Sequence, residues 1–180
     1  MNIFLMRHGV TIWNEKGITQ GHTQNHLSKT GIKETILAAE KLENEKIDII
    51  ICSPLKRALQ TAEIINKYHN VKIIQDIRLI DTDQGIFSRR KYSSLTNYEK
   101  KLKKLRTIET KMESYESVIK RVSNFIQTIK NDYNYENILI ITHNYIATFI
   151  EAIIKKQNIN FKNDQILKNF TTSQFKKFLI

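Results

Sequence analysis

Four apolar runs in this chain lead into side chains able to grip, attack or protonate a phosphoryl group. The run Ile3–Met6 ends in Arg7-His8-Gly9, and IDIIIC (47–52) leads through Ser53-Pro54 to Arg57. VKIIQDIRLI (71–80) is followed by Asp81 and Asp83, and NILIIT (137–142) by His143. Two guanidiniums can fork onto phosphoryl oxygens and hold the charge that spreads during transfer. A neutral imidazole is a competent nucleophile, and neighbouring arginines keep it neutral by lowering its pKa. A second imidazole, when cationic, can take a further oxygen, and a protonated carboxyl can supply the leaving oxygen with its proton. No part of this scheme calls for a metal or other cofactor.

These residues come from distant parts of the sequence, so the fold must gather them. Continuous apolar runs of this length are typical of parallel strands covered on both faces. Helical patterns alternate with them. Ser28 is placed to cap a helix reaching about Glu45, with Ile32, Ile36 and Ala39 on one face. Pro54 marks the start of another, with Ala58, Leu59, Ala62 and Ile65 as its stripe. Val118, Val122, Phe125 and Ile129 mark a helix over about 113–131, and a further helix begins near His143. The basic stretch 88–106 reads as a loop followed by a helix, and the tail QFKKFLI as a closing edge strand. The expected fold is a three-layer α/β sandwich, a largely parallel central sheet flanked by helices, formed by residues 1–180 as a single domain. In such sheets ligands bind beyond the carboxyl ends of the strands, which is where Arg7, His8, Arg57, Asp81 and His143 stand.

Composition narrows the field. Apolar residues make up 41% and charged residues 26% of the 180, which suits a folded chain with a sizeable core. The apolar runs are too short to span a bilayer, and the first six residues lack the basic and apolar regions of a secretory leader, so a cytoplasmic protein is expected. The single cysteine, Cys52, rules out an intrachain disulfide and a cysteine-built zinc site, and its place ending an apolar strand suits the core. The net charge of +11 favours anionic partners, yet no nucleic-acid-binding motif accompanies it, and nucleic acid is not the expected ligand. His22 and His26 read as surface or rim residues, and His69 as a favourable charge at a helix end.

LMRHGVTIWNEKGITQGHTQNHLSKTG resembles the opening signature of the histidine phosphatase superfamily, in its phosphoglycerate-mutase-like branch. SPLKRALQTAEII resembles the second block of that family, MESYESVIKRVSNFI its helix before the last catalytic strand, and ITHNYIATFI the block carrying its second histidine. The resemblance implies a phosphoglycerate-mutase-like fold, His8 as the nucleophile that forms a phosphohistidine, and Arg7, Arg57 and His143 as the phosphate pocket. It places Asn14 and the Gln20-Gly21 backbone on the same site, and it implies no metal.

The chain departs from that pattern in three places. Where the family has Leu-x-Glu, this sequence has Leu79-Ile80-Asp81, a carboxyl ~1.5 Å shorter in reach and harder to keep protonated. Asp83 is a substitute proton donor. IFSRRKY stands where the family has a Gly-rich, Trp-containing segment, and Asn144 stands where Gly commonly follows the second histidine. Asn tolerates left-handed backbone, which would preserve the turn. RRKYSSLTNYEKKLKKLR lies where the family builds the wall over the site. It reads as a solvated helix with its lysines outward, the alternative being a stretch that gathers a multiply anionic substrate. Arg89 and Arg90, nearest to the Asp81 loop, are the better candidates for substrate contact. The expected activity is hydrolysis of a small phosphorylated metabolite. A phosphomutase and a phosphate-binding protein weakened by Asp81 are the alternatives, and a homodimer is left open.

Overall fold

The computed structural model describes residues 1–157 and 170–180. Its sheet holds strands β1 (Asn2–Arg7), β2 (Ile49–Cys52), β3 (Ile73–Gln75), β4 (Asn137–Thr142) and β5 (Phe175–Leu179), in the order β3-β2-β4-β1-β5. All neighbouring pairs are parallel except β1 with β5, which is antiparallel and closes the edge through the tail.

Two-residue alternation sends each strand's side chains into two separate cores. Ile3 and Leu5, Ile49 and Ile51, and Ile138 and Ile140 meet Val118, Val122, Phe125 and Ile129 of α5 (Tyr115–Asp132) and Phe149 and Ile150 of α6 (Asn144–Ile154). Phe4 and Met6, Ile50 and Cys52, and Leu139 and Ile141 meet Ala38, Ala39 and Leu42 of α2 (Lys29–Leu42) and Ala58, Ala62 and Ile65 of α3 (Lys56–His69). Covering on both faces explains why Ile3–Met6, Ile49–Cys52 and Ile138–Ile141 are apolar without a break. A one-turn helix α1 (Ile12–Glu15) and a short helix α4 (Asn97–Leu105) lie in the connections. No helix among the described residues is long and apolar enough to cross a membrane.

Three expectations are corrected. In α2, Ile32 and Ile36 are 40% and 38% exposed, and the face turned inward is Gly31, Thr35, Ala38, Ala39 and Leu42. Small residues win because α2 lies close against its surroundings. A Cβ on Gly31 would sit 1.9 Å from the Val10 carbonyl oxygen. Gly31→Ala is therefore expected to destabilise the fold by about 1–3 kcal/mol, read from the urea unfolding midpoint. The 71–80 strand is confined to Ile73–Gln75, because the Asp76 carboxylate accepts the Arg78 N–H and turns Ile77–Leu79 into a 3₁₀ segment. Pro54 precedes the helix rather than opening it, with Leu55 at the N-cap.

Candidate active site

The ladder between β1 and β4 continues one residue beyond the strands, His8 N–H donating to the Thr142 carbonyl at 2.9 Å. This brings the chain to Gly9. Gly9 N–H donates to Thr61 Oγ1 of α3 at 3.0 Å, and a Cβ here would lie 2.4 Å from Thr35 Oγ1 of α2. Glycine is required by that close approach.

The Gly9 carbonyl fixes the state of His8. It lies 2.7 Å from His8 Nδ1, and a carbonyl only accepts, so Nδ1 carries the hydrogen. Arg57 Nε then donates to His8 Nε2 at 3.2 Å, so Nε2 presents its lone pair. Burial, followed by the charges of Arg57 and Arg7, holds the His8 pKa well below the ordinary histidine value. His8 is a neutral imidazole with Nε2 as its basic atom.

Arg57 comes from the first turn of α3 and is fully buried. Besides His8, it donates to the Thr23 and Gly21 carbonyls, each at 2.9 Å, and to Asp81 Oδ2 at 3.0 Å. Gly21 presents its carbonyl from a left-handed backbone, φ +53°, with Gln84 packed 3.1 Å from where a Cβ would stand. One guanidinium thus ties the loop after α1 and the Asp81 loop to the nucleophile.

His143 is the N-cap of α6, its ring centroid 5.1 Å from that of His8. Its Nε2 is 2.7 Å from Ser53 Oγ at the end of β2. Its buried Nδ1 has no hydrogen-bond partner among the described residues and lies 3.8 Å from Asp81 Oδ2. A nearby carboxylate favours a hydrogen on Nδ1, with the Ser53 hydroxyl donating to Nε2. Burial and then Arg57 push the His143 pKa well down, so the cationic second imidazole expected from the sequence is neutral in this state. A bound phosphoryl dianion would favour its protonation.

Two imidazoles held neutral set an acid limit on stability. Because their folded pKa values lie below the ordinary 6.5, unfolding takes up protons once the pH drops below that value. Stability from this source is complete above about pH 6.5 and falls as pH decreases, by up to about 1.4 kcal/mol per pH unit for each imidazole. Thermal unfolding measured from neutral to mildly acid pH is expected to show that decline.

Arg7 donates through Nη1 to the Phe170 carbonyl at 3.0 Å, while its buried Nε has no hydrogen-bond partner among the described residues. With His8 and Asp81 it lines a cavity of about 280 Å³, together with Asn14, Gln20 and Gly21. Arg57 and His143 are buried and do not line it; they reach it through contacts to His8 and Asp81. Asn14 Oδ1 and Gln20 Oε1 both accept from Thr11 Oγ1. Asn144 also lines the cavity, but its backbone is the first turn of α6 and not left-handed; its Oδ1 accepts the Phe170 N–H at 3.3 Å.

The remaining candidates are placed elsewhere. Arg90 pairs with Glu99 at 2.6 Å, and Arg89 is exposed on a left-handed backbone, φ +67°; neither lines the cavity. Arg90 is taken by Glu99 because the Thr96–Glu99 capping box fixes that carboxylate beside it. Asp83 is occupied in a turn, accepting the Gly85 N–H at 2.8 Å, and does not line the cavity. His22 and His26 are exposed, His22 bonding to the Asp81 carbonyl, and Cys52 is in the core. The wall residues facing His8 are instead Tyr92, Lys103 and Tyr145. Lys103 lay in the basic run already singled out; the helical spacing 100, 103, 104 was the signal that could have preferred it. Thr61 and Ser53, which position Gly9 and His143, belong to the SPLKRALQTA segment, but nothing in their residue type marked those partners.

The arrangement can hold a phosphoryl group on cationic and N–H donors against an imidazole lone pair. Solved structures with the same architecture include "Bacillus stearothermophilus YhfR" (TM-score 0.86, 22% identity, 98% of this chain and 89% of that one). A mycobacterial glucosyl-3-phosphoglycerate phosphatase matches with TM-score 0.83 at 20% identity, over 98% and 90% of the two chains. The alpha-ribazole phosphatase from Shigella flexneri matches with TM-score 0.79 at 24% identity, over 88% and 81%. By sequence, the "Probable phosphoglycerate mutase GpmB" of Photorhabdus laumondii is 38% identical over 104 residues, 58% of this chain and 48% of the relative. Its Yersinia pestis counterpart is 35% identical over the same length, so this chain spans about half the length of these relatives. The model of the histidine phosphatase superfamily (branch 1) matches residues 3–176, nearly the whole length, and it is to this family that the chain belongs.

Proposed function

We propose that this chain is a cytoplasmic phosphomonoester hydrolase acting through a phosphohistidine on His8, with a small phosphorylated metabolite as substrate. The observation that carries the reading is the state of His8: Nδ1–H is committed to Gly9, and the Nε2 lone pair is held among two arginines. Nε2 attacks phosphorus, the ester P–O bond breaks, and the leaving oxygen takes a proton from the Asp81 carboxyl. Water then attacks the phosphohistidine and gives a proton back to the Asp81 carboxylate, the N–P bond breaks with its electron pair returning to Nε2, and inorganic phosphate leaves. Arg7, Arg57 and His143 hold the phosphoryl oxygens throughout, the role metal ions fill in many other phosphoryl transfers. Rapid acid-free quenching with an aryl phosphate, in the presence of a chelator, is expected to trap a phosphoenzyme with the label on His8. Steady turnover with no such intermediate would overturn the scheme. A phosphomutase would form the same intermediate but pass the label to an added hydroxyl acceptor rather than to water.

Asp81 favours a second reading, a phosphate-binding protein with weak turnover. Both of its oxygens accept N–H bonds, Oδ2 from Arg57 and Oδ1 from Thr82. A general acid must carry a proton in that place. As hydrolase, Asp81→Asn is expected to lower kcat about 10²-fold on an alkyl phosphate and far less on p-nitrophenyl phosphate, whose leaving group needs no proton. Equal effects on both substrates would remove Asp81 from that role. Negligible wild-type turnover with phosphate-dependent stabilisation would favour the binding reading.

A further inference from the structure

The loop that carries Asp81 is held from behind, through its backbone carbonyls. The Arg78 carbonyl accepts from Arg121 Nη1 of α5, and the Leu79 carbonyl from Thr142 Oγ1 at 2.7 Å. The Asp81 carbonyl has two donors. One is His22 Nε2 at 2.8 Å, which carries its hydrogen there because a carbonyl only accepts. The other is Arg121 Nη2, at a longer 3.3 Å. His22 comes from the loop after α1, and Arg121 from the helix before β4.

Each donor is itself anchored. Glu113 forks onto Arg121, Oε1 accepting from Nε at 2.8 Å and Oε2 from Nη2 at 2.9 Å, so this pair places no net charge behind the Asp81 carboxyl. The Glu113 N–H donates to the Asp83 carbonyl at 3.1 Å, tying the far end of the loop to the same pair. The near end is tied to α5 by the Arg78 guanidinium, which reaches Asn124 Oδ1 at 2.6 Å and Thr128 Oγ1 at 2.8 Å. His22 follows Gly21, whose carbonyl shares Arg57 Nη2 with Asp81 Oδ2. An aspartate has one methylene between backbone and carboxyl, so its oxygens go where the backbone sends them, with only a choice of rotamer to adjust their reach. Misplacing a reacting group by ~1 Å can cost ~10²-fold in rate.

We propose that His22 and Arg121 are positioning residues for proton transfer, clamping the Asp81 carbonyl so that its short side chain meets the leaving oxygen. The inference deepens the hydrolase reading and rests on Asp81 as its general acid. His22, exposed at the rim, thereby affects the chemistry without touching the reacting atoms. Arg121 does so from a helix whose neighbouring side chains, Val118, Val122 and Phe125, belong to the core.

The test measures kcat on an alkyl phosphate and on p-nitrophenyl phosphate for His22→Ala, His22→Gln and Arg121→Met, beside Asp81→Asn. Losing the exposed His22 side chain leaves the fold in place, which makes it the decisive variant. His22→Ala is expected to lower kcat about tenfold on the alkyl phosphate and less than about threefold on p-nitrophenyl phosphate, whose leaving group needs no proton. His22→Gln, whose side-chain N–H₂ can donate to the same carbonyl, should recover most of the loss. Arg121→Met should show the same selectivity with a loss of up to ~10²-fold on the alkyl phosphate. Added to Asp81→Asn, His22→Ala should cost less than about twofold more, because both changes act on one proton. Equal effects on the two substrates in His22→Ala, or its full tenfold loss on top of Asp81→Asn, overturns the proposal and leaves the hydrolase standing. If Asp81→Asn itself slows both substrates equally, or the parent turns over neither, the general acid is misassigned and the clamp falls with it.

Discussion

Replacing His8 with glutamine is expected to lower turnover of an aryl phosphate by at least ~10⁴-fold while leaving the fold in place. The glutamine amide can reproduce both hydrogen bonds of the imidazole. Its N–H₂ can donate to the Gly9 carbonyl, and its oxygen can accept from Arg57 Nε, the two bonds His8 makes at 2.7 and 3.2 Å. The nucleophilic lone pair is lost, because amide nitrogen has none to offer. The variant should also tolerate acid better than the parent, since one imidazole held neutral by burial has gone. Single-turnover kinetics and thermal unfolding over a pH series check the two halves separately. Turnover within about tenfold of the parent would remove His8 from the chemistry.

Arg57→Met is expected to damage stability and activity together, by about 3–5 kcal/mol in unfolding free energy and at least ~10²-fold in kcat/KM. Methionine fills much of the volume of the stem. It leaves the Asp81 carboxylate and the Gly21 and Thr23 carbonyls without the donor that now serves all three. It also removes the contact to His8 Nε2 and one of the cations that keep the imidazole neutral. Arg57→Lys should recover little, because one ammonium cannot reach four acceptors spread over a planar fork. Urea unfolding curves and steady-state kinetics measure the two effects. A variant as stable as the parent would show that the loops carrying Gly21 and Asp81 hold themselves.

The parts of this site that depend on strands were legible, and those that depend on side-chain partners were less so. Arg7, His8, Arg57 and His143 follow apolar runs, and the parallel sheet delivers whatever follows its strands to one rim. Helix faces were readable where large residues mark them, as at Val118, Val122, Phe125 and Ile129. In α2 the periodicity misled, because close packing against Val10 selects Gly31 and alanines while Ile32 and Ile36 stay at the surface. Arg89 and Arg90 were favoured by nearness in sequence to Asp81, but one carboxylate three residues into α4 claims Arg90. Lys103, ten and more residues further on, reaches the cavity because the helix folds back over it. The occupation of both Asp81 oxygens had no sequence signal at all, since one donor comes from another helix.

The strand order has a bearing on how the molecule comes into being. β1 and β2 lead into the nucleophile and into the helix that bears Arg57, yet they share no hydrogen bonds; each pairs with β4, which lies between them. Partners such as Asn2 and Asn137 stand 135 residues apart, the kind of closure that makes assembly slow. A nascent chain leaving the ribosome would expose Arg7, His8, Arg57 and Asp81 long before the strand that sets them side by side is made. The sheet's middle strand is thus made after the residues it aligns, and His8 and Arg57 come side by side only once β4 has joined β1 and β2.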